Sequence, residues 1–139
     1  MTFSRKRHLL LLPLLLTGVS FVRAPSAEPS QLSSMADARY QAAIKQFDET
    51  WLYFQQDRID SYQVYVWSRL ILDCRREMAE KPADRIAAVD EHLGRMKKLE
   101  ALVKKVRRLG FGRSYDVGAS AYYLVEAEYW LAREKLPKS

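Results

Sequence analysis

One cysteine, Cys74, and two histidines, His8 and His92, are all that 139 residues offer of the usual metal- and redox-active side chains. A lone cysteine excludes an intrachain disulfide framework and any CxxC metal or redox site. Two histidines leave too few imidazoles for a His-based metal centre, and His92 is the one base available to a nucleophilic Cys74. Glu77, Glu80 and Glu91 have no histidine three positions on, so the Glu-x-x-His motif of di-iron bundles is missing. Five glycines and five prolines are too few for a collagen-like, β-rich or wholly disordered chain. No long segment alternates apolar and polar residues with period two, so no sheet is expected. What is present is 48% hydrophobic and 29% charged residues, ordinary for one folded domain.

The first residues read as a leader. Arg5, Lys6 and Arg7 precede seven leucines between Leu9 and Leu16, interrupted only by Pro13, and Thr17 to Val22 is small or apolar. That order is a signal-peptide pattern, and the apolar run is shorter than the ~20 residues a spanning helix needs. We expect a signal peptide over residues 1–24, with Ala24 or Ala27 as the cleavage position; the alternative is an uncleaved N-terminal anchor. Export to the periplasm or the outside follows, with no transmembrane segment once the leader is removed. Residues 25–33, PSAEPSQLS, are polar and Pro-containing and predict a flexible tether, with the helical domain over 34–139.

Removing the leader changes the charge balance. The chain carries +6, but residues 1–24 hold four of those charges and no acid. The pI of 9.5 therefore rests largely on the leader. The remaining excess is local: residues 95–113 hold eight Lys or Arg against Glu100. One basic face on a mildly acidic body is the electrostatic feature of the domain. Nucleic acid is not an expected partner, because no binding motif accompanies the charge and export removes the chain from the genome.

Four segments have helical periodicity. Tyr40, Ile44, Phe47, Trp51 and Phe54 recur at spacings of three and four and predict a helix over 34–56. Val64, Trp67, Ile71, Cys74 and Met78 do the same over 61–80, with Asp60 or Ser61 as the cap. Pro82 suits a helix start, and Ile86, Val89, Leu93, Met96, Leu99, Val103 and Val106 carry a helix over 83–109 that ends at Gly110. Ser114 is the expected cap of a last helix through Val117, Ser120, Leu124, Ala127 and Leu131, fading near Leu136 and Pro137. The breaks fall near 56–60, 81–83 and 110–113. The expected fold is all-α, an antiparallel up-down four-helix bundle. A continuous coiled coil would need a second chain to pair with. A shift of 53 residues lays Ser61 on Ser114, Val64 on Val117, Ile71 on Leu124 and Met78 on Leu131, and the first helix roughly on the third. That echo suggests two duplicated helical hairpins.

Gly110 to Val117, followed by Ala119, Ala121, Leu124, Glu126, Ala127, Leu131 and Ala132, resembles the helical repeat of TolC-type outer-membrane efflux proteins. Residues 57–79 are a degenerate version of it. The pattern is also similar to short secreted helical proteins of planctomycete-type bacteria. Together these cover roughly residues 40–135 and imply a helical protein of the cell envelope. Efflux is not implied. The TolC-type family is much longer and adds barrel strands, for which this chain has no candidate. A 22-residue helix rises only ~33 Å, too little for a periplasm-spanning tunnel. An adaptor role beside an envelope complex is what the resemblance leaves.

No cofactor, metal or catalytic residue is expected. His92 reads as a boundary or surface histidine, and Cys74 as a small buried hydrophobe on its stripe, with an intermolecular disulfide open only to an exposed thiol. Two surfaces stand out. Tyr115, Tyr122, Tyr129 and Trp130, with Tyr62 and Tyr65, are candidates for an interface with a protein partner or a second copy. Tyr122 and Tyr129 lie seven apart, as do Tyr123 and Trp130, so the helix carries two adjacent aromatic stripes, too wide for a simple two-residue seam, and part of these aromatics must be core. Lys97, Lys98, Lys104, Lys105, Arg107, Arg108 and Arg113 are candidates for binding an anionic envelope surface or polyanion. A non-enzymatic exported domain for protein interaction or self-assembly is the leading expectation, and the anion-binding module the alternative.

Overall fold

Four helices make up the computed structural model, which describes residues 28–137: α1 (Pro29–Gln55), α2 (Ser61–Met78), α3 (Pro82–Arg108) and α4 (Ser114–Glu134). No strand occurs among the described residues. The leader, its cleavage site and residues 25–27 lie outside them. Consecutive helices run antiparallel. Arg39 meets Glu77 across α1 and α2, Arg95 meets Ser68 across α3 and α2, and Arg85 meets Glu134 across α3 and α4. The chain is an all-α, antiparallel four-helix bundle, as its periodicity predicts.

The bundle is uneven. α2 packs on all three other helices, α4 packs on α2 and α3, and the backbone of α1 approaches only α2. The core is therefore centred on α2, α3 and α4, with Leu72, Met96 and Leu99 wholly enclosed. Each such side chain contributes roughly 1.5–3 kcal/mol of burial free energy. From α1, Phe47, Trp51 and Phe54 lean on this core from one side. α1 starts at Pro29, so residues 29–33, expected in the tether, are its first turns. Pro29 suits the first helical position, but residues 29–35 are exposed on every side, so no apolar stripe marks them in sequence.

The 53-residue echo reappears in the backbone. α1 and α3 are each 27 residues long, both with proline at the first position, Pro29 and Pro82. Both close with the same capping geometry. Arg58 N–H donates to Tyr53 O and Asp57 N–H to Phe54 O; Phe111 N–H donates to Val106 O and Gly110 N–H to Arg107 O. The left-handed residue in each cap is Asp57, at φ 57°, and Gly110, at φ 84°. Glycine meets no Cβ penalty there, whereas Asp57 adopts a conformation that costs most L residues 1–2 kcal/mol, about. α2 and α4 then begin at Ser61 and Ser114. The helix starts, and the C-terminal caps of α1 and α3, thus repeat at one offset.

The caps of α2 and α4 differ. Asp60 caps α2 by accepting from Gln63 N–H at 3.3 Å. Ser114, expected to cap α4, is instead its first helical residue, and the capping position is Arg113 with no side-chain cap. Arg113 turns back to the α1–α2 turn, donating to Ile59 O at 2.6 Å and Asp57 O at 3.1 Å. Beside it, Asp116 of α4 accepts from both the backbone N–H and the hydroxyl of Ser61, joining the N-termini of two parallel helices.

Candidate interaction face on the last helix

α4 is apolar on two opposite sides. Its inner side brings Tyr123, Ala127 and Leu131 into the core, with Trp130 half-buried beside them. Its outer side exposes Tyr115 (56%), Tyr122 (62%), Val125 (63%) and Tyr129 (60%). Gly118 and Ala132 are exposed on the same side. Positions 115, 118, 122, 125, 129 and 132 alternate steps of three and four, the a and d positions of a heptad. An ordinary surface helix carries its apolar stripe only toward the core. A second stripe facing water is what partner-binding surfaces carry.

The six tyrosine and tryptophan candidates divide between the two sides. Tyr62, Tyr115, Tyr122 and Tyr129 are exposed and available to a partner. Tyr65 and Trp130 are half-buried and pack against the core. Tyr65 stacks on Tyr123 with ring centroids 4.1 Å apart, and its hydroxyl donates to Glu126 at 2.6 Å. Burial first, and that hydrogen bond second, push the Tyr65 hydroxyl up to about 12, so it stays a donor. Trp130 stacks on His92 at 5.6 Å and is covered by the Arg69 guanidinium, 4.2 Å from its centroid. Residues of two helices, α2 and α3, thus pack on its ring, which stays half-buried. Val125, Gly118 and Ala132 were missed as members of the outer stripe; the signal was their spacing from the tyrosines.

The basic candidates of α3 lie on its surface. Lys97, Lys98, Lys104, Lys105, Arg107 and Arg108 are exposed. Lys104 is paired with Glu100 at 2.6 Å; the other five make no ion pair among the described residues. Lys104, Arg107 and Arg108 line one shallow hollow with Val117. Arg113 is held differently: its side chain, 31% exposed, donates through the guanidinium to Ile59 O and Asp57 O and pairs with the Asp57 carboxylate. Phe47, Trp51 and Leu52 of α1 face Arg95 and Lys98 across an open groove between α1 and α3.

His92 is wholly buried, not at a boundary. The buried side of α3 is wide: Ala88, His92, Met96, Leu99 and Val103 form a ridge beside Val89 and Leu93. His92 Nδ1 shares a 2.8 Å hydrogen bond with Ser68, whose oxygen accepts from Arg95 Nε, also at 2.8 Å. Nε2 has no protein partner. A serine–histidine contact invites a nucleophilic reading, but both side chains are 0% exposed and Ser68 is already occupied by Arg95. Cys74 is buried, as its stripe position predicts. No cluster of three metal-ligating side chains occurs among the described residues, and none of the described helices is long and apolar enough to cross a membrane.

No family model matches the chain, and no curated protein or solved structure matches it either. The outer stripe of α4 and the basic face of α3 therefore stand on their own geometry.

Proposed function

We propose that this protein is an exported helical module that self-assembles through the outer face of α4. The observation that carries this reading is the unbroken exposed heptad stripe from Tyr115 to Ala132, opposite the side that packs on the core. Tyrosines suit the role, since each offers a large rigid contact area with a polar tip for the rim. The basic, leucine-rich leader supports export, and the resemblance to envelope proteins agrees with it.

Light scattering across a concentration series tests the assembly. The wild-type mass rises from monomer to a larger species. Tyr122→Glu with Tyr129→Glu keeps the helical content and melting temperature, since both residues are outside the core. Each substitution weakens association by about 30-fold, the scale of a central aromatic contact. A wild-type protein that stays monomeric at its highest soluble concentration rules the function out.

A second reading rests on the hollow lined by Lys104, Arg107 and Arg108. Three neighbouring cations on an exposed helix end attract an anionic lipid surface, and the attraction weakens with salt. Lys104→Glu, Arg107→Glu and Arg108→Glu together abolish sedimentation with anionic lipid vesicles while leaving the oligomeric mass unchanged. Equal vesicle binding by wild type and variant removes this reading.

A further inference from the structure

We infer that the helix docked on the outer stripe of α4 is α4 of a second copy of this chain, antiparallel to the first, with the two-fold axis passing between Tyr123 and Leu124. This rests on the self-assembly reading above and goes further, in fixing direction and register. The argument is one of volume. Along the stripe, the a positions are Tyr115, Tyr122 and Tyr129, all large; the d positions are Gly118, Val125 and Ala132, all small. A parallel pair packs a on a and d on d, so tyrosine layers would alternate with Gly118 and Ala132 layers that leave gaps. An antiparallel pair packs a on d, which sets each tyrosine against a small residue.

One register does this over the whole stripe. With the axis between Tyr123 and Leu124, Tyr115 meets the partner's Ala132, Gly118 meets the partner's Tyr129, and Tyr122 meets the partner's Val125. Two-fold symmetry repeats each contact, giving six layers, all within the Ser114–Glu134 helix. Sliding the pair by one heptad toward the C-terminus sets Glu126 against the partner's Glu126 and Glu128 against the partner's Glu128. Sliding it the other way loses two of the six layers. In the favoured register, Ala119 and Ala121 lie opposite the partner's Glu126 and Glu128, so no like charges oppose each other and the small alanines let the helices approach. Antiparallel helices also place their dipoles head to tail.

Cysteine cross-linking tests direction and register separately from assembly itself. Tyr115→Cys and Ala132→Cys are made as two separate chains, each with Cys74→Ala; positions 115 and 132 are both exposed, so folding is preserved and checked by circular dichroism. Mixed together and treated with a short bismaleimide, the two chains cross-link to each other, while either chain alone does not. Cross-linking of either chain to itself would mean a parallel pair and overturn the inference while leaving self-assembly intact. A dimer by light scattering with no cross-link in any combination would place the contact in another register or off the α4 stripe, and overturn the inference. A monomer would remove both the inference and the function it rests on.

Discussion

Acidification from pH 7 to pH 4 will lower the stability of this protein by about 3 kcal/mol through His92 alone. The imidazole is wholly buried between α2, α3 and α4. Burial is the largest influence on its proton affinity and holds the pKa down at about 3. The Arg95, Arg69 and Arg76 cations around it act in the same direction, and the Ser68 hydrogen bond opposes them only in part. Glu134, at the same end of α4, is shared between Arg76 and Arg85. In the unfolded chain the same group titrates near 6.5. Between pH 6.5 and 3 the unfolded state therefore binds the extra proton, so stability is whole above this window and falls as pH drops through it. Urea denaturation of the wild type and His92→Phe at both pH values separates this contribution from that of the carboxylates. Phenylalanine keeps a ring for Trp130 to stack on and cannot titrate. The variant loses about 3 kcal/mol less than the wild type on going to pH 4. An equal loss in both proteins, or a His92 resonance that titrates near 6.5, refutes the assignment.

His92 also illustrates where sequence reasoning stops. Its neighbours Leu93 and Met96 announce the buried stripe of α3, but a 3.6-residue repeat leaves the width of that stripe open. The partner that makes burial tolerable, Ser68, lies 24 residues away on another helix, beyond any local pattern. The helix breaks were legible because their chemistry is local: Asp60 caps, Pro82 starts a helix, and Gly110 takes a left-handed conformation. α4 was legible only in part. Tyr122 and Tyr129 have the same seven-residue spacing as Tyr123 and Trp130, and nothing in a helix apolar on both sides says which pair turns inward. The contacts of α2 decide it, because Tyr65 stacks on Tyr123 and Arg69 covers Trp130. The contacts of Arg113 were hidden for a related reason. A long cation in a basic run looks solvated until the turn it reaches back to, 54 residues earlier, is known.

Asp116→Ala will cost about 3 kcal/mol at neutral pH, among the largest losses available to a single substitution outside the apolar core. Asp116 is 3% exposed and lies in the first turn of α4, and its Oδ1 accepts from Ser61 N–H at 2.9 Å and Ser61 Oγ at 2.5 Å. Ser61 is the first residue of α2, so its N–H is one of the donors a helix start cannot satisfy internally. The two helices are parallel and begin at the same end of the bundle. One carboxylate thus lies near the positive ends of both dipoles while bridging them. Alanine removes the charge and leaves two buried donors of Ser61 without a partner. Asp116→Asn keeps an acceptor oxygen and loses only the charge, so it costs about half as much. Ser61→Ala removes one donor and keeps the other bond, and costs about 1 kcal/mol. Thermal denaturation of the three variants at pH 7 orders them with Asp116→Ala lowest and Ser61→Ala nearest the wild type. If Asp116→Ala stays within about 0.5 kcal/mol of the wild type, the range of an ordinary surface change, the bridge holds nothing together. Loss of this bridge also frees the start of α4, whose first turn carries Tyr115, the outermost tyrosine of the assembly stripe.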